Sequence, residues 1–383
     1  MTLAIDGGEP AVKNKLRRFN TIGPEEISLV TAAMRAGPLS GYLGGELTGG
    51  LRVESLEYEF ASAVGSKYAV AVNSATSGLL AACVACGVTR GSEVRTTPFT
   101  MSATAAAPAH LGANLVFNDI EPQTYNMSGL CGPQTKAVIV ANIFGHPAEL
   151  AAWKKNCGND TFMIEDNAQS PFAMEGKRYA GTVGDVGVFS FNVHKHLQCG
   201  EGGICVTENE TLASRMRLFR NHGELAGVGL PGMNLRMTET TAAIALAQLS
   251  KREEIISGRI ALAEEFTHMA KHLPWVKSPT VRENCKHVYY LWALEVLRDR
   301  DWFIKAINAE GVPLKAGYVD PLYNLPAFAK ARRNSNFPVT EDVNSKIALF
   351  EICGFDPSRR QMQAIAEAFK KVGGAMDKRQ RAA

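Results

Sequence analysis

Three basic side chains stand in a row within the stretch FSFNVHKHLQCGEGG, Phe189 to Gly203: His194, Lys195 and His196. A lysine amine held among apolar and cationic neighbours loses part of its affinity for a proton and becomes a nucleophile fit for Schiff-base chemistry. The flanking imidazoles are candidates for tuning that amine or for touching a substrate oxygen, and each can equally be satisfied by backbone in a tight loop. Two further stretches supply what such a lysine needs. NSATSG (Asn73 to Gly78) puts small hydroxyl residues at a strand-to-helix turn, where free backbone N–H groups and the helix dipole favour an anion such as phosphate, although Ser and Thr are also ordinary helix caps. MIEDNAQS carries Glu165 and Asp166 at the end of an apolar strand, where a carboxylate pairs with a protonated ring nitrogen or caps a helix. Lysine, phosphate turn and strand-end carboxylate together suit pyridoxal phosphate, an electron sink whose pyridinium nitrogen needs an acidic partner.

Those residues must be positioned by the elements around them. From about residue 50 the chain alternates amphipathic helical stretches with short β-branched runs: LRVESLEYEFASAV, KYAVAV, SATSGLLAACVAC, EVRTTP, SATAAAPAHL, ANLVFND, KAVIVAN, AELAAWKKNC and TFMIED. Strands joined by helices predict right-handed crossovers and a mostly parallel sheet covered on both faces, with its site at the carboxyl ends of the strands. VGVFSF to GGICVT reads as a β-hairpin near the sheet edge, and TETTAAIALAQLSKREEIISGRIALAEEFTHMAKHL as one long helix. Beyond it, the strand HVYYLWALEVL and two more helices suggest a smaller α/β domain. The boundary falls between residues 1–251, the large domain with its N-terminal arm, and residues 252–383.

A chain of 383 residues, 46% hydrophobic, has the means to bury a large core. The net charge of +3 comes without a clustered basic stripe, which argues against nucleic acid as a partner. No apolar run approaches a membrane span and no signal peptide opens the chain, so the expected location is cytoplasmic. Eight scattered cysteines fit reduced thiols, and Cys83 and Cys86, a CxxC within an alanine-rich helix, lack a second pair at zinc-ligand spacing. No metal site is expected.

The ordered series GPLSGYLGG, EFASAVGSKYAVAVNSATSGL, PFTMSATAAA, EDNAQS, GDVGVFSFNVHKHLQCGEGG, RNHG, GMNLRMTETTAAIALAQL and DPLYNLPAF resembles the DegT/DnrJ/EryC1/StrS family of pyridoxal-phosphate-dependent sugar aminotransferases over nearly the whole chain. The resemblance implies the aspartate aminotransferase type of fold (fold type I): a large mixed seven-stranded sheet domain flanked by helices, plus a smaller C-terminal α/β domain. It also implies a homodimer with shared active sites. By position, Lys195, four residues after Phe191, matches the Schiff-base lysine, Asp166 the partner of the pyridine nitrogen, and Gln169 the amide beside the ring hydroxyl. Ser190, Thr76 and the backbone around Ala75 match phosphate ligands, and Asn234 the asparagine that reaches the phosphate from the partner subunit. Met101 stands where the family commonly has an aromatic ring over the cofactor, and a thioether can cover a ring by dispersion.

The implied activity is transfer of an amino group from L-glutamate to a keto-sugar, in the family mostly nucleotide-linked; a keto-cyclitol is the alternative acceptor, and the IDGGEP start resembles that branch as well. His194, Arg236, Tyr318 and Tyr323 are candidate acceptor contacts, together with the loops GYLGGELTGG, NHGELAGVGLPG and VDPLYNLPAF. The related sugar dehydratases carry histidine in place of the lysine. Here the histidines fall one position to either side. A non-catalytic member would be free to lose Lys195 or Asp166, and both are present.

Overall fold

The computed structural model describes residues 2–42, 47–223, 229–332 and 335–382, with side chains through residue 379. Its centre is a seven-stranded sheet built from β1 (Tyr68–Val72), β2 (Glu93–Thr96), β3 (Asn114–Phe117), β4 (Thr135–Ala141), β5 (Phe162–Asp166), β6 (Val186–Ser190) and β7 (Gly203–Thr207). The spatial order is β1-β7-β6-β5-β4-β2-β3. Strand β7 runs antiparallel to both of its neighbours and the other pairings are parallel. The sheet is therefore mixed, as expected, and β6 with β7 forms the anticipated hairpin one strand in from the edge.

The alternation of side chains along each strand builds a core on both faces. On β1, Ala69 and Ala71 join one cluster and Val70 and Val72 the other; on β4, Val138 and Val140 oppose Ala137 and Ile139. Helices α2 (Leu51–Val64) and α7 (Glu239–Ser250) bury the first cluster, while α3 (Ala75–Ala85), α4 (Ala103–His110) and α6 (Glu210–Arg220) bury the second. Cys83 and Cys86 are fully enclosed in the second cluster, where burial pushes both thiols up, Cys86 to about 12. They behave as packing residues.

Helix α1 (Pro24–Ala36) crosses α7, and α5 (Leu150–Asn156) follows β4. The long helix expected after residue 238 is two helices, α7 and α8 (Arg252–Ala270). At Lys251 the backbone N–H turns back to Gln248 O, and the ammonium donates to Thr21 O and pairs with Glu26, so the side chain that breaks the helix also ties it to the segment before α1.

The C-terminal part holds a four-stranded antiparallel sheet in the order β8-β9-β11-β10, from β8 (Val276–Lys277), β9 (Trp292–Val296), β10 (Lys315–Ala316) and β11 (Ile347–Phe350). Helices α8, α9 (Arg300–Ala309) and α11 (Arg359–Ala382) cover it, and α10 (Pro338–Lys346) leads into β11. Leu3, Val12 and Leu16 of the N-terminal segment sit in this C-terminal core. The strand expected across residues 287–297 begins only at Trp292. The residues before it bond instead to the loop after β4, Val288 N–H to Gly145 O at 3.0 Å and Tyr290 N–H to Phe144 O at 2.7 Å. That diversion carries Tyr290 into the site described next.

Candidate active site

The carboxyl ends of β1, β5 and β6 open into one cavity of about 420 Å³. Its walls include Ser74, Ala75 and Thr76 from the turn after β1, Met101 and Ala103 near α4, Asp166, Ala168 and Gln169 after β5, and Ser190, His194 and Lys195 after β6. Segments more than 100 positions apart in sequence meet here because β7 threads between β1 and β6. At its first residue the fit is close: a Cβ on Gly203 would lie 2.6 Å from Ala75 N and Ser74 C, so only glycine lets the β7 backbone lie against the turn. Ser74 caps α3, its hydroxyl accepting from Ser77 N–H at 3.1 Å. The first-turn N–H groups of Ala75 and Thr76, which no helix carbonyl can reach, are left for an anion.

Strand alternation separates the two adjacent carboxylates. Glu165 points away from the cavity and accepts N–H bonds from Gly181, Val183 and Gly184 at 2.6, 2.8 and 2.5 Å, pinning the loop before β6. Asp166 points in. Its Oδ2 accepts from Thr104 Oγ1 at 2.8 Å and its Oδ1 from Ala168 N–H at 3.1 Å. Burial pushes its pKa up, opposed by those two donors and by the charge of Lys195. A buried carboxyl that accepts from two donors, in a cavity shared with an amine, is the partner that a protonated ring nitrogen requires.

Lys195 sits in a turn closed by its own N–H to Asn192 O at 2.9 Å, and its Nζ lies 4.1 Å from the centre of the Tyr290 ring. Burial lowers the amine from 10.5 to about 8, against the raising effects of Asp166 and Cys353. A substantial share of the side chain is thus neutral and nucleophilic near pH 8. The flanking histidines diverge. His194 is exposed on the cavity wall. His196 is fully buried with Nε2 2.8 Å from Val288 O, and burial lowers it to about 4. It is neutral and ties the lysine turn to the segment that carries Tyr290.

Gln169 accepts from Phe144 N–H at 2.7 Å and donates to the Tyr318 hydroxyl at 2.6 Å. Tyr318 packs edge-on against Phe99 and Phe144 and so stands behind Gln169. Ser190 is buried at the end of β6 and accepts from Asn192 N–H at 3.3 Å. Met101, 58% exposed, covers the cavity from the α4 side.

Four candidates are off the cavity wall: Tyr318 behind Gln169, and Asn234, Arg236 and Tyr323 farther away. Asn234 is exposed in the loop before α7, its Oδ1 accepting from Arg236 Nε at 3.0 Å, and Arg236 reaches on to Asn221 Oδ1 at 3.1 Å. Tyr323 is buried against Phe337 with ring centres 4.8 Å apart, and its hydroxyl donates to Glu341 at 3.3 Å. Residues 43–46 of the loop GYLGGELTGG and 224–228 of NHGELAGVGLPG lie outside the described residues. Sequence reasoning missed Thr104 and Tyr290. Thr104 stands four positions after Thr100, which lines the cavity and whose hydroxyl lies 3.1 Å from its own, and that spacing was the available signal; Tyr290 had none, since it follows from the lost strand.

The donor set therefore fits pyridoxal phosphate: an anion-accepting helix start, a buried carboxyl held by two donors and a lysine with a lowered pKa share one cavity. Among the described residues no three His, Cys, Asp or Glu side chains are grouped to hold a metal ion, and no helix is long and apolar enough to cross a membrane. The sequence model of the DegT/DnrJ/EryC1/StrS aminotransferase family matches residues 22–368. The chain is 33% identical over 295 residues to the spore coat polysaccharide biosynthesis protein SpsC of Bacillus subtilis, covering 72% of this chain and 74% of that one. To GDP-perosamine synthase of Caulobacter vibrioides it is 30% identical over 319 residues, covering 79% and 83%. The X-ray structure of S. venezuelae DesV superposes with a TM-score of 0.83 at 27% identity over 91% of this chain and 94% of that one. An aminotransferase from Psychrobacter cryohalolentis shares the fold with a TM-score of 0.85 at 24% identity, covering 94% and 99%. With a match of that extent over a site of this composition, the chain belongs to the DegT/DnrJ/EryC1/StrS aminotransferase family and is a fold type I aminotransferase.

Proposed function

We propose that this chain holds pyridoxal phosphate on Lys195 and transfers an amino group from L-glutamate to a keto-sugar, nucleotide-linked as in the name of GDP-perosamine synthase. The observation that carries the reading is the meeting of half-buried Lys195 and buried Asp166 in one cavity with the turn of Ser74 to Thr76. Bound there, the cofactor supplies an electron sink for the carbon that loses its proton. The chain supplies the rest. Asp166, fixed by Thr104 and Ala168, would keep the pyridine nitrogen protonated; the N–H groups of Ala75 and Thr76 with the Ser190 hydroxyl would hold the phosphate, and Gln169 would meet the ring hydroxyl. Lys195 Nζ, free near pH 8, would take the proton from the donor's reacting carbon in one half-reaction and return one to the acceptor's carbon in the other. Met101 covers one face and His194 faces an incoming acceptor. Asn234 and Arg236, outside their own chain's cavity, are proposed to serve the partner's cavity in a homodimer. Residues 1–251 and 252–383 are proposed as its two domains and the cytoplasm as its location.

The test is optical. Purified protein is expected to show a visible cofactor band that L-glutamate bleaches and that a keto-sugar nucleotide or keto-cyclitol restores; the acceptor that restores it identifies the substrate. Borohydride should fix the cofactor to Lys195. A Lys195→Ala protein that still completes transamination would sink the reading.

A further inference from the structure

Beside the main cavity lies a second of about 330 Å³ whose walls include Arg18, His194, Tyr290, Lys315, Glu351 and Cys353. It shares His194 and Tyr290 with the first, so the two spaces are separated only by the side chains next to Lys195. Three parts of the chain contribute charge: Arg18 from the segment before α1, Lys315 from β10 and Glu351 at the end of β11. The Lys315 ammonium is paired with Glu351. Arg18 forms an isolated bridge with Phe355, its guanidinium lies 4.8 Å from the centre of that ring, and among the described residues it makes no ion pair. Stacking on Phe355 fixes the plane of the fork and leaves its N–H edge for a ligand.

We propose that this second cavity is the anion subsite for the amino donor, with Arg18 gripping one of the donor's carboxylates and Lys315 lending a second positive charge. The assignment rests on the aminotransferase reading of Lys195 and adds a cationic subsite to a main-cavity wall in which, among this chain's described residues, Lys195 is the one Lys or Arg. The donor's reacting carbon must sit beside Lys195 Nζ, so its carboxylates are tethered within a few bonds of the shared wall, and Tyr290 in that wall is 4.1 Å from Nζ. Arg18 and Lys315 against Glu351 leave one net positive charge, which a single carboxylate balances. A diphosphate would add a second negative charge facing Glu351.

The experiment is a calorimetric titration of holoenzyme with glutarate, a dicarboxylate that has no amine and is not consumed, for wild type, Arg18→Gln, Arg18→Lys, Lys315→Gln and Lys13→Gln. The Arg18, Lys315 and Lys13 side chains are exposed, so each variant should fold. Loss of a charge-assisted fork predicts glutarate binding weakened about tenfold to a hundredfold in Arg18→Gln, partly restored in Arg18→Lys, less affected in Lys315→Gln and unchanged in Lys13→Gln. Equal affinity in wild type and Arg18→Gln, or no binding to wild type, overturns the proposal. A parallel titration with UDP separates the sources of the anion: if Arg18→Gln loses UDP and keeps glutarate, the cavity serves the acceptor's phosphates and the donor assignment falls. The titration reads the subsite without turnover. Failure of the aminotransferase reading appears elsewhere, as a wild-type cofactor band indifferent to L-glutamate.

Discussion

Lys195→Met is predicted to make the cofactor-free protein more stable at pH 7. The wild-type lysine is protonated at that pH in both states, but burial has lowered its native pKa from 10.5 to about 8, with the Asp166 attraction already counted against the shift. A difference of that size corresponds to about 3 kcal/mol of native-state penalty, taking about 1.4 kcal/mol for each pH unit. Methionine removes the charge and keeps the length of the side chain. The assay is urea unfolding of both proteins, freed of cofactor, at a series of pH values. The sign of the pH dependence is a second check. Between pH 8 and 10.5 the unfolded wild type binds more protons than the native one, so its stability from this group rises with pH and the advantage of the variant closes across that window. A variant equal to or less stable than wild type at pH 7, or an advantage that widens above pH 8, would refute the reasoning. The site's reactivity and its instability would then have different origins.

Thr104→Val removes the hydroxyl that holds Asp166 and should weaken pyridoxal phosphate binding about tenfold to a hundredfold while the fold survives; an unchanged dissociation constant counts against Thr104 as a support of the carboxylate. Gly203→Ala places a methyl against the Ser74–Ala75 backbone and should cost about 1–3 kcal/mol of affinity for pyridoxal phosphate but much less for pyridoxal, which has no phosphate to seat; equal losses would mean general damage. Lys195→Ala and Asn234→Ala proteins, each inactive alone, should regain about a quarter of wild-type activity when their subunits are exchanged, because half of the dimers then carry one intact site; no recovery would place Asn234 in its own chain's site. Tyr323→Phe loses a bond to Glu341 and should cost about 1 kcal/mol of stability with kcat intact, whereas a fall in kcat would restore Tyr323 as an acceptor contact.

The parts of the site carried by local pattern were legible in the chain. An apolar run ending in Glu-Asp, a Ser/Thr cluster opening a helix and a lysine between an aromatic strand and a glycine-rich turn each follow from strand and helix periodicity, and the structure brings them into one cavity. Which carboxylate faces inward was also latent in the pattern, since side chains on β5 alternate and Asp166 must oppose Glu165. What failed depended on contacts distant in sequence. The run from residue 287 has strand composition throughout, yet Val288 and Tyr290 satisfy their N–H groups on the loop after β4, and no local signal reports a competing partner some 145 positions away. The break at Lys251 is similar: helix propensity favours continuity, and the reason to stop is Glu26 and Thr21, far upstream. Tyr323 fell to the same limit, because a tyrosine near a site motif and one stacked on Phe337 read alike.

The placement of β7 also sets an order of events on the ribosome. Tyr68 has no strand partner on that side until Thr207 has been synthesised, and the same strand supplies the antiparallel neighbour of β6. A nascent chain that has emerged only through Lys195 holds the nucleophile, the carboxylate and the phosphate turn, yet its β1 and β6 edges stand open and apart. Insertion of β7 closes both edges and presses Gly203 against the turn in one step. Capture of the cofactor would then mark completion of the large sheet during synthesis, and truncations ending before residue 207 should be the form of this chain that chaperones hold and proteases find first.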